Sequence, residues 1–452
     1  MITYSIIKKS QLEGTKRLDA EYYHPEYLEL ERKIKQVSSE RLKIVAQVSG
    51  GKRLPVGDFF STEGVPYLRI VDIYGTFVDS DYMKFISEKL HQKLKQYQIR
   101  EKDILVTIVG NTVGLVGYNQ LQLDKFNFTE NCARVRAKDI LPEYLLAILL
   151  SKVGQLQVSR ERVGTAQPKL SLDRLRNFYI PIASEELQNA VKNTIQESLR
   201  FYEQSRFFYS QAESLLLEEL GLKNFEAEAG LWSVVKLSET KKANRIDAEY
   251  FQPRYQKLYF LIRANKGIAL GELATIKKGF EPGSEAYQEE GKLFIRVSSI
   301  SKDGITTKDE KYLKDELYQK LKKDYEPKIG EILLTKDASP GTAFVVKEPI
   351  EGIISGGVLR VKVKEDIEPE YLALVINSII GQSQVERAAG GSIIMHWKPD
   401  QVKELQIPIL SKPTQQKIAE LVKKSHEARK KAKELLESAK RKVEELIESR
   451  TK

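Results

Sequence analysis

The chain has 452 residues, too many for one ordinary domain, so two or three are expected. At 41% hydrophobic and 30% charged, the composition excludes a disordered tail and a low-complexity polymer. A net charge of +10 suits a polyanionic partner without demanding one.

One cysteine, Cys132, excludes an internal disulfide and points to a reducing, cytoplasmic compartment. The four histidines (His24, His91, His396, His426) are scattered with no cysteine cluster beside them, so no zinc-site spacing is present. The opening stretch lacks the apolar core of a signal peptide. The longest apolar run, around Tyr144–Leu150, is far short of a membrane span.

Taken in order, the chain repeats itself. Tyr4-Ser-Ile-Ile-Lys8 returns as Trp232-Ser-Val-Val-Lys236, and Arg17-Leu-Asp-Ala-Glu-Tyr-Tyr23 as Arg245-Ile-Asp-Ala-Glu-Tyr-Phe251, both 228 residues on. Tyr67–Ile73 returns as Phe294–Ile300, Pro142-Glu-Tyr-Leu145 as Pro369-Glu-Tyr-Leu372, and Tyr179-Ile-Pro-Ile182 as Gln406-Ile-Pro-Ile409, now 227 on. An offset this steady marks a tandem duplication of a domain-sized unit.

Each repeat reads alike. A short strand is expected at its opening, then a helix seeded by Asp19 or Asp247 with an early proline, Pro25 or Pro253. Short β-rich runs follow at Arg41–Val48, Tyr67–Ile73, Asp103–Val109 and Ala133–Ala137, separated by glycine-containing turns. A buried helix is expected over Pro142–Ser151, then a variable loop, then a last strand ending at Ile-Pro-Ile. Mixed elements without regular βαβ alternation give an α+β class for each globule.

A long helix closes each repeat. Val191, Ile195, Ser198, Tyr202, Ser205, Tyr209, Ala212 and Leu216 step by four and three, the period of a coiled-coil seam. The frame returns 227 residues later at Ile418, Val422, Ser425, Arg429, Ala432, Leu436, Ala439 and Val443. Small residues alternate with large ones, which lets two helices approach closely. The first helix, about 36 residues, would run ~54 Å. The expected layout is residues 1–183 as domain one, 184–221 as helix, 222–411 as domain two and 412–452 as helix. The helices would pair as an antiparallel coiled coil with pseudo-twofold symmetry.

Catalytic signatures are missing. The sequence has no P-loop, no G-x-G-x-x-G, no H-E-x-x-H, no G-x-S-x-G and no Asn-Pro dipeptide. Asp309, Glu326 and Lys328 can be forced into a nuclease-like pattern, but chance supplies such patterns in a chain this rich in Glu and Lys. The expectation is a non-catalytic binding protein with no metal site, whose two heads read two half-sites on double-stranded DNA.

Candidate contacts lie in three loops and their echoes. The first is Gly50–Phe59 with Lys52 and Arg53, echoed by Lys277–Gly283 with Lys277 and Lys278. The second is Thr107–Tyr118 with Asn111 and Thr112, echoed by Thr335–Thr342 with Lys336. The third is Arg160–Lys169 with Arg160, Arg162, Thr165, Gln167 and Lys169, echoed by Arg387–Lys398 with Arg387, Ser392, His396, Trp397 and Lys398. The third pair diverges most, as copies reading different half-sites should. For any one residue a solvated surface loop is the competing reading. Trp397 fits a base stack or a core edge equally. Arg69 and Arg296, inside apolar strands, fit a carboxylate partner better than a base.

These residues resemble a known family. Leu270-Gly-Glu-Leu-Ala-Thr-Ile-Lys-Lys-Gly279 with Leu293-Phe-Ile-Arg-Val297 is one likeness. The Ile-Pro-Ile closes, followed by Gln188 and by Gln415-Gln416 at the helix starts, are a second, and the duplicated layout is the third. Together they are similar to the specificity subunit of a type I restriction–modification system, over essentially the whole chain. The Ala183–Gln188 stretch lacks a proline common in the family, and Ser411–Gln415 lacks its Glu.

The resemblance implies a subunit that is not itself an enzyme. Two recognition domains would each read half of a split site, and the helices would set the spacing. Two methylation subunits would mount on the chain, restriction subunits would join, and S-adenosylmethionine and ATP would bind those partners. Adenine N6 methylation is the family's reaction. Phe201, Phe207 and Phe208, off the seam, are docking candidates. Two other readings stay open: the recognition subunit of a non-restriction methyltransferase or phage-defence system, and a scaffold that never meets DNA.

Overall fold

Pro142-Glu-Tyr-Leu-Leu-Ala-Ile-Leu-Leu150 is apolar on nearly every side, and such a helix has to be enclosed. In the structure, a computed structural model, it forms a helix with Pro142 in its first turn and Glu143 to Leu149 all buried. Residues 4–12, 17–81, 83–223, 225, 232–306, 310–364, 366–389 and 396–448 are described. The chain divides into two units, Met1–Tyr202 with Lys430–Lys452, and Glu203–Arg429.

In the first unit the Pro142–Leu150 helix packs in one core with a six-stranded sheet. The strand order is Ala46–Gly50, Cys132–Ala137, Ile104–Thr107, Val116–Tyr118, Phe77–Val78, Ile73–Tyr74. The first three pairings are antiparallel, with Ala133 opposite Gly50 and Cys132 opposite Thr107. A three-stranded sheet (Lys84–Ile86, Val65–Leu68, Asn127–Phe128) and the pair Ser39–Arg41 with Tyr179–Pro181 complete it.

The second unit repeats this plan. Its four-stranded sheet runs Ala274–Lys278, Val358–Val363, Ile332–Thr335, Ala343–Val345, with the buried helix Pro369–Asn377 in the same core. Each unit is therefore α+β. Fully burying each large apolar side chain contributes about 1.5–3 kcal/mol, and each unit has a large cluster of them.

Two details depart from the sequence expectations. Among the described residues no strand opens either repeat: 4–8 and 232–236 carry no strand pairing and lead directly into helical turns at Lys9–Gln11 and Leu237–Ala243. The Arg41–Val48 run is interrupted by a helical turn at Leu42–Val45, and Tyr67–Ile73 by a 3-10 turn at Ile70–Asp72. There Arg69 pairs with buried Asp72 through two bonds of 3.1 and 2.8 Å.

The long helices are Glu185–Glu219 (35 residues) and Lys412–Glu448 (37 residues). Within the first unit Val191, Ile195, Ser198 and Tyr202 are buried together with Ala432, Ala439 and Val443, and Leu436 is half-buried. Lys442 Nζ donates to Thr194 Oγ1 at 2.8 Å, and Ser198 Oγ to the Ala432 carbonyl at 2.8 Å, so the segments run in opposite directions. Within the second unit Ser205, Ala212, Leu216, Ile418, Val422 and Ser425 are buried and Tyr209 is half-buried. Ser425 Oγ donates to the Ser205 carbonyl at 2.8 Å. Small serines let the helices come close enough for one to satisfy the other's backbone.

Two glutamines repeat a clamp. Gln188 accepts from the Leu141 N–H at 3.2 Å and donates to the Ala183 carbonyl at 3.1 Å. Gln415 does the same with Glu368 N–H at 3.2 Å and the Leu410 carbonyl at 2.9 Å. Each ties the start of a long helix to the start of its buried helix.

Candidate nucleic-acid interface

Two loops leave the first unit's sheet at one end, because their strands finish in register there, and a third, following the helix Lys152–Glu161, is clipped to them. The segment Asn131–Cys132 joins two of them. Its carbonyls accept from Gly51 N–H at 3.2 Å and from Ile108 N–H at 2.8 Å. The third loop is clipped to the second by Gly110 N–H to the Pro168 carbonyl and Leu170 N–H to the Ile108 carbonyl, both 2.9 Å. Residue 51 must be glycine, since a Cβ there would lie 2.1 Å from the Thr129 carbonyl oxygen. Gly279, its equivalent, would meet the Ser355 oxygen at 2.2 Å.

The structure thereby brings together Lys52, Arg53, Asn111, Thr112, Arg162, Thr165, Gln167 and Lys169, all exposed. Val163 and Lys169 exchange backbone hydrogen bonds of 2.9 and 2.8 Å, so Thr165 and Gln167 stand on the tip of a closed turn. Arg53 is 78% exposed and bonds Glu130 at 2.6 Å. Although partial burial works the other way, the bonds from Arg53, its own backbone and Thr129 hold the Glu130 carboxyl below the usual carboxylate range. Arg53 is thus held extended by a carboxylate that a phosphate can replace.

One feature of this face was not read from the sequence. Pro55-Val56-Gly57-Asp58 makes a turn, with Asp58 N–H donating to the Pro55 carbonyl at 3.1 Å and Gly57 at φ +89°. The loop is pinned by Phe60 meeting Tyr67 edge-on with ring centres 5.5 Å apart, Tyr67 Oη to the Lys52 carbonyl at 2.5 Å and Lys93 to Asp58 at 3.4 Å. It therefore displays Val56 and Phe59 to solvent. The Pro-x-Gly-Asp turn signal was available, but an apolar residue inside it reads as core until its exposure is known.

In the second unit the same end of the sheet carries Lys277, Lys278, His396 and Lys398, all exposed. Lys278 pairs with Glu281 at 3.0 Å. Beside them is an open cleft of about 610 Å³ lined by Phe280, Tyr287, Arg296, Thr335, Ser339 and Gly356 among others. His396 Nδ1 lies 2.8 Å from Asp337, which also binds Lys336. Burial opposes it, yet the hydrogen bonds from Lys336 and His396 hold the Asp337 carboxyl below its ordinary value.

Four candidates are corrected. Arg160 does not face outward: its Nη1 binds Glu31 at 2.6 Å, its Nε the Tyr22 carbonyl at 3.1 Å, and its guanidinium covers the Tyr22 ring. Arg387 does the same job in the second unit, on the Tyr250 carbonyl at 3.1 Å and the Tyr250 and Tyr259 rings. Lys336 is buried against Asp337. Trp397 is 1% exposed, so no base can stack on it; it occupies the place of buried Leu170 and plugs the base of its loop. Ser392 lies outside the described residues.

Among the described residues no group of three His, Cys, Asp or Glu could hold a metal ion, and no helix is long and apolar enough to cross a membrane. Glu326 and Lys328 form an ion pair of 2.6 Å, and Asp309 lies outside the described residues. Of the off-seam aromatics, Phe207 is exposed while Phe201 and Phe208 are half-buried.

Comparison with known proteins fits this duplicated plan. The family model of the type I restriction modification DNA specificity domain matches twice, over residues 35–195 and 265–438. The chain belongs to this family. A curated member, the type I restriction enzyme EcoBI specificity subunit of Escherichia coli, is 29% identical over 137 residues, covering 30% of this chain and 28% of that protein. Among solved structures, the type I restriction–modification S subunit from M. genitalium matches at 13% identity and TM-score 0.38, covering 90% of this chain and 95% of that one. The HsdS subunit from Thermoanaerobacter tengcongensis matches at 15% identity and TM-score 0.30, covering 90% and 95%.

Proposed function

We propose that this specificity-family chain is the sequence-reading subunit of a type I restriction–modification complex, each unit reading one half of a split site on double-stranded DNA. The observation that carries this is the recurrence, in two units of one chain, of a sheet end that gathers cationic and amide-bearing loops. Lys52, Arg53, Arg162 and Lys169 in one unit, and Lys277, Lys278 and Lys398 in the other, bind phosphates. Asn111, Thr112, Thr165 and Gln167 are placed to meet base edges. Val56 and Phe59 supply apolar contact to the same groove.

The chain itself performs no chemistry. Methylation and restriction subunits bring it, together with S-adenosylmethionine and ATP, and the complex works in the cytoplasm. The long helices act as an antiparallel coiled coil that fixes the gap between half-sites and docks two methylation subunits, Phe207 facing that partner. Their length makes the ruler testable. Deleting one heptad from each helix, with the seam kept in frame, removes ~10 Å per helix. The gap between methylated half-sites is expected to shorten by about three base pairs at 3.4 Å each. An unchanged gap with activity retained would contradict the ruler.

A further inference from the structure

The two units share a plan but differ at one spot on the candidate DNA face. Register fixes the equivalence, with Phe128 beside Leu68 in the first unit and Ile354 beside Ile295 in the second. In the first unit Glu130 and Asn131 come next, and Glu130 bonds Arg53 at 2.6 Å over that ground. In the second unit the same places hold Gly356 and Gly357, with Phe280 for Lys52 and Glu281 for Arg53. The missing side chains leave the cleft of about 610 Å³. Small-molecule sites span about 300–1,000 Å³, so there is room for one planar ring system and its sugar.

The walls of the cleft are preformed. Phe280 packs on Tyr325 with ring centres 5.4 Å apart, and Tyr287 on Phe294 at 5.5 Å, leaving Tyr287 37% exposed. A further wall is the turn 337–342. Thr335 Oγ1 closes it, donating to the Ser339 carbonyl at 2.6 Å and accepting from the Thr342 N–H at 2.9 Å. On this turn Ala338 stands at φ +58°, where the first unit uses Gly110 at +90°. A side chain in the left-handed region strains the backbone, and such strain gathers at binding sites. A Cβ at Gly356 would lie 2.2 Å from the Glu281 carboxylate, and one at Gly357 2.8 Å from the Val297 side chain. Glycine at both places is what lets Glu281 and Val297 line the cleft.

Resting on the DNA reading proposed above, we infer that this cleft receives one nucleobase lifted out of the duplex at the second unit's half-site. Aromatic side chains stack on any base, and Phe280 and Tyr287 both line the cleft. The Glu281 carboxylate accepts from an exocyclic amino group, and the Ser339 and Ser355 hydroxyls serve donor or acceptor edges alike. Lys277 and Lys278, exposed just before Phe280, meet the flanking phosphates. A free anion is a poorer occupant than a neutral base, because Glu281 sets a carboxylate in the wall. The first unit carries the Arg53–Glu130 ion pair on this ground, so it reads its half without extruding a base. The two half-sites are thus read by different means.

The test uses the full-length chain in the proposed complex and duplexes carrying its methylation motif. An abasic site is set opposite each base of the motif in turn, and affinity is read by fluorescence anisotropy. Unpairing a base removes part of the cost of extruding it. Wild type is expected to bind ~10-fold or more tighter at one position, confined to one half of the motif. Gly356→Glu with Glu281→Arg rebuilds the first unit's ion pair across the cleft, and Tyr287→Leu removes an exposed wall. Each should abolish the gain, and Tyr287→Leu should melt as wild type does. No gain at any position, or a gain that survives in a folded variant, overturns the inference and leaves the proposed function standing. Calorimetry with the four deoxynucleoside monophosphates reads the other source of a base. Saturable binding that the variants lose, with no gain on unpaired duplexes, assigns the cleft to a free nucleotide and overturns extrusion. A wild-type complex that prefers no duplex sequence overturns the proposed function as well.

Discussion

Arg160 and Arg162 are two residues apart, yet the structure gives them opposite surroundings, the first packed on Glu31 and Tyr22 and the second exposed. Replacing Arg160 with alanine removes an ion pair to Glu31, a bond to the Tyr22 carbonyl and cover for the Tyr22 ring. Glu31 keeps Lys35 and is partly exposed, so the loss is moderated. A charge-assisted hydrogen bond contributes about 1.5–3 kcal/mol and a cation–π contact about 0.5–1 kcal/mol. The expected cost is thus about 2–3 kcal/mol, or ~4–12 °C in melting temperature for a unit of this size. Replacing Arg162, which is exposed, should leave the melting temperature within about 2 °C. On DNA the order reverses. Titrations at several salt concentrations should show the slope of log K against log salt falling by ~0.9 for Arg162→Ala and staying put for Arg160→Ala. Calorimetry and fluorescence anisotropy read the two quantities. An Arg160→Ala protein with native stability and a reduced slope would refute the assignment.

Trp397→Ala should cost about 3–5 kcal/mol in stability, as a large core truncation, while the salt slope of DNA binding stays unchanged; a slope change in the folded variant would return Trp397 to the interface. Gln188→Ala and Gln415→Ala each strip two hydrogen bonds from a helix junction, and each should cost about 1–2 kcal/mol, measured by denaturant unfolding; loss of partner binding with full stability would contradict the clamp. His426 is stacked on Phe344, and burial together with the nearby cations Lys347 and Arg429 pushes it down to about 4 against the opposing Asp303. Its folded value lies below its unfolded one, so its share of stability is whole above pH ~6.5 and is lost as pH falls toward 4, roughly 3 kcal/mol in all. Unfolding of wild type and His426→Gln across that window should show the steeper fall in wild type, and parallel curves would refute it.

Much of the architecture was legible because duplication supplies its own control. A residue type kept at one offset is visible without any other sequence, and the α+β class followed from irregular alternation of elements. What the sequence could not show was direction. Arg160 and Arg162 look alike in the string, and only the position of Glu31 and Tyr22 separates them. Trp397 stands between His396 and Lys398, so its neighbours advertise a surface, yet its backbone N–H bonds the Lys336 carbonyl at 2.9 Å and seats the ring in the core. The opening Tyr4–Lys8 and Trp232–Lys236 stretches have strand composition without a strand, because propensity cannot create a neighbouring edge. Val56 and Phe59 were missed for the opposite reason, apolar residues held out by a turn.

The most direct test of the central claim is to co-express the chain with the methylation subunit of the proposed complex and sequence the host DNA for N6-methyladenine at single-molecule resolution. The account predicts one split motif, two unrelated halves separated by a fixed gap, with one half altered when Thr165 and Gln167 are exchanged for other residues. A soluble complex that leaves the DNA unmethylated, or marks an undivided motif, would contradict it.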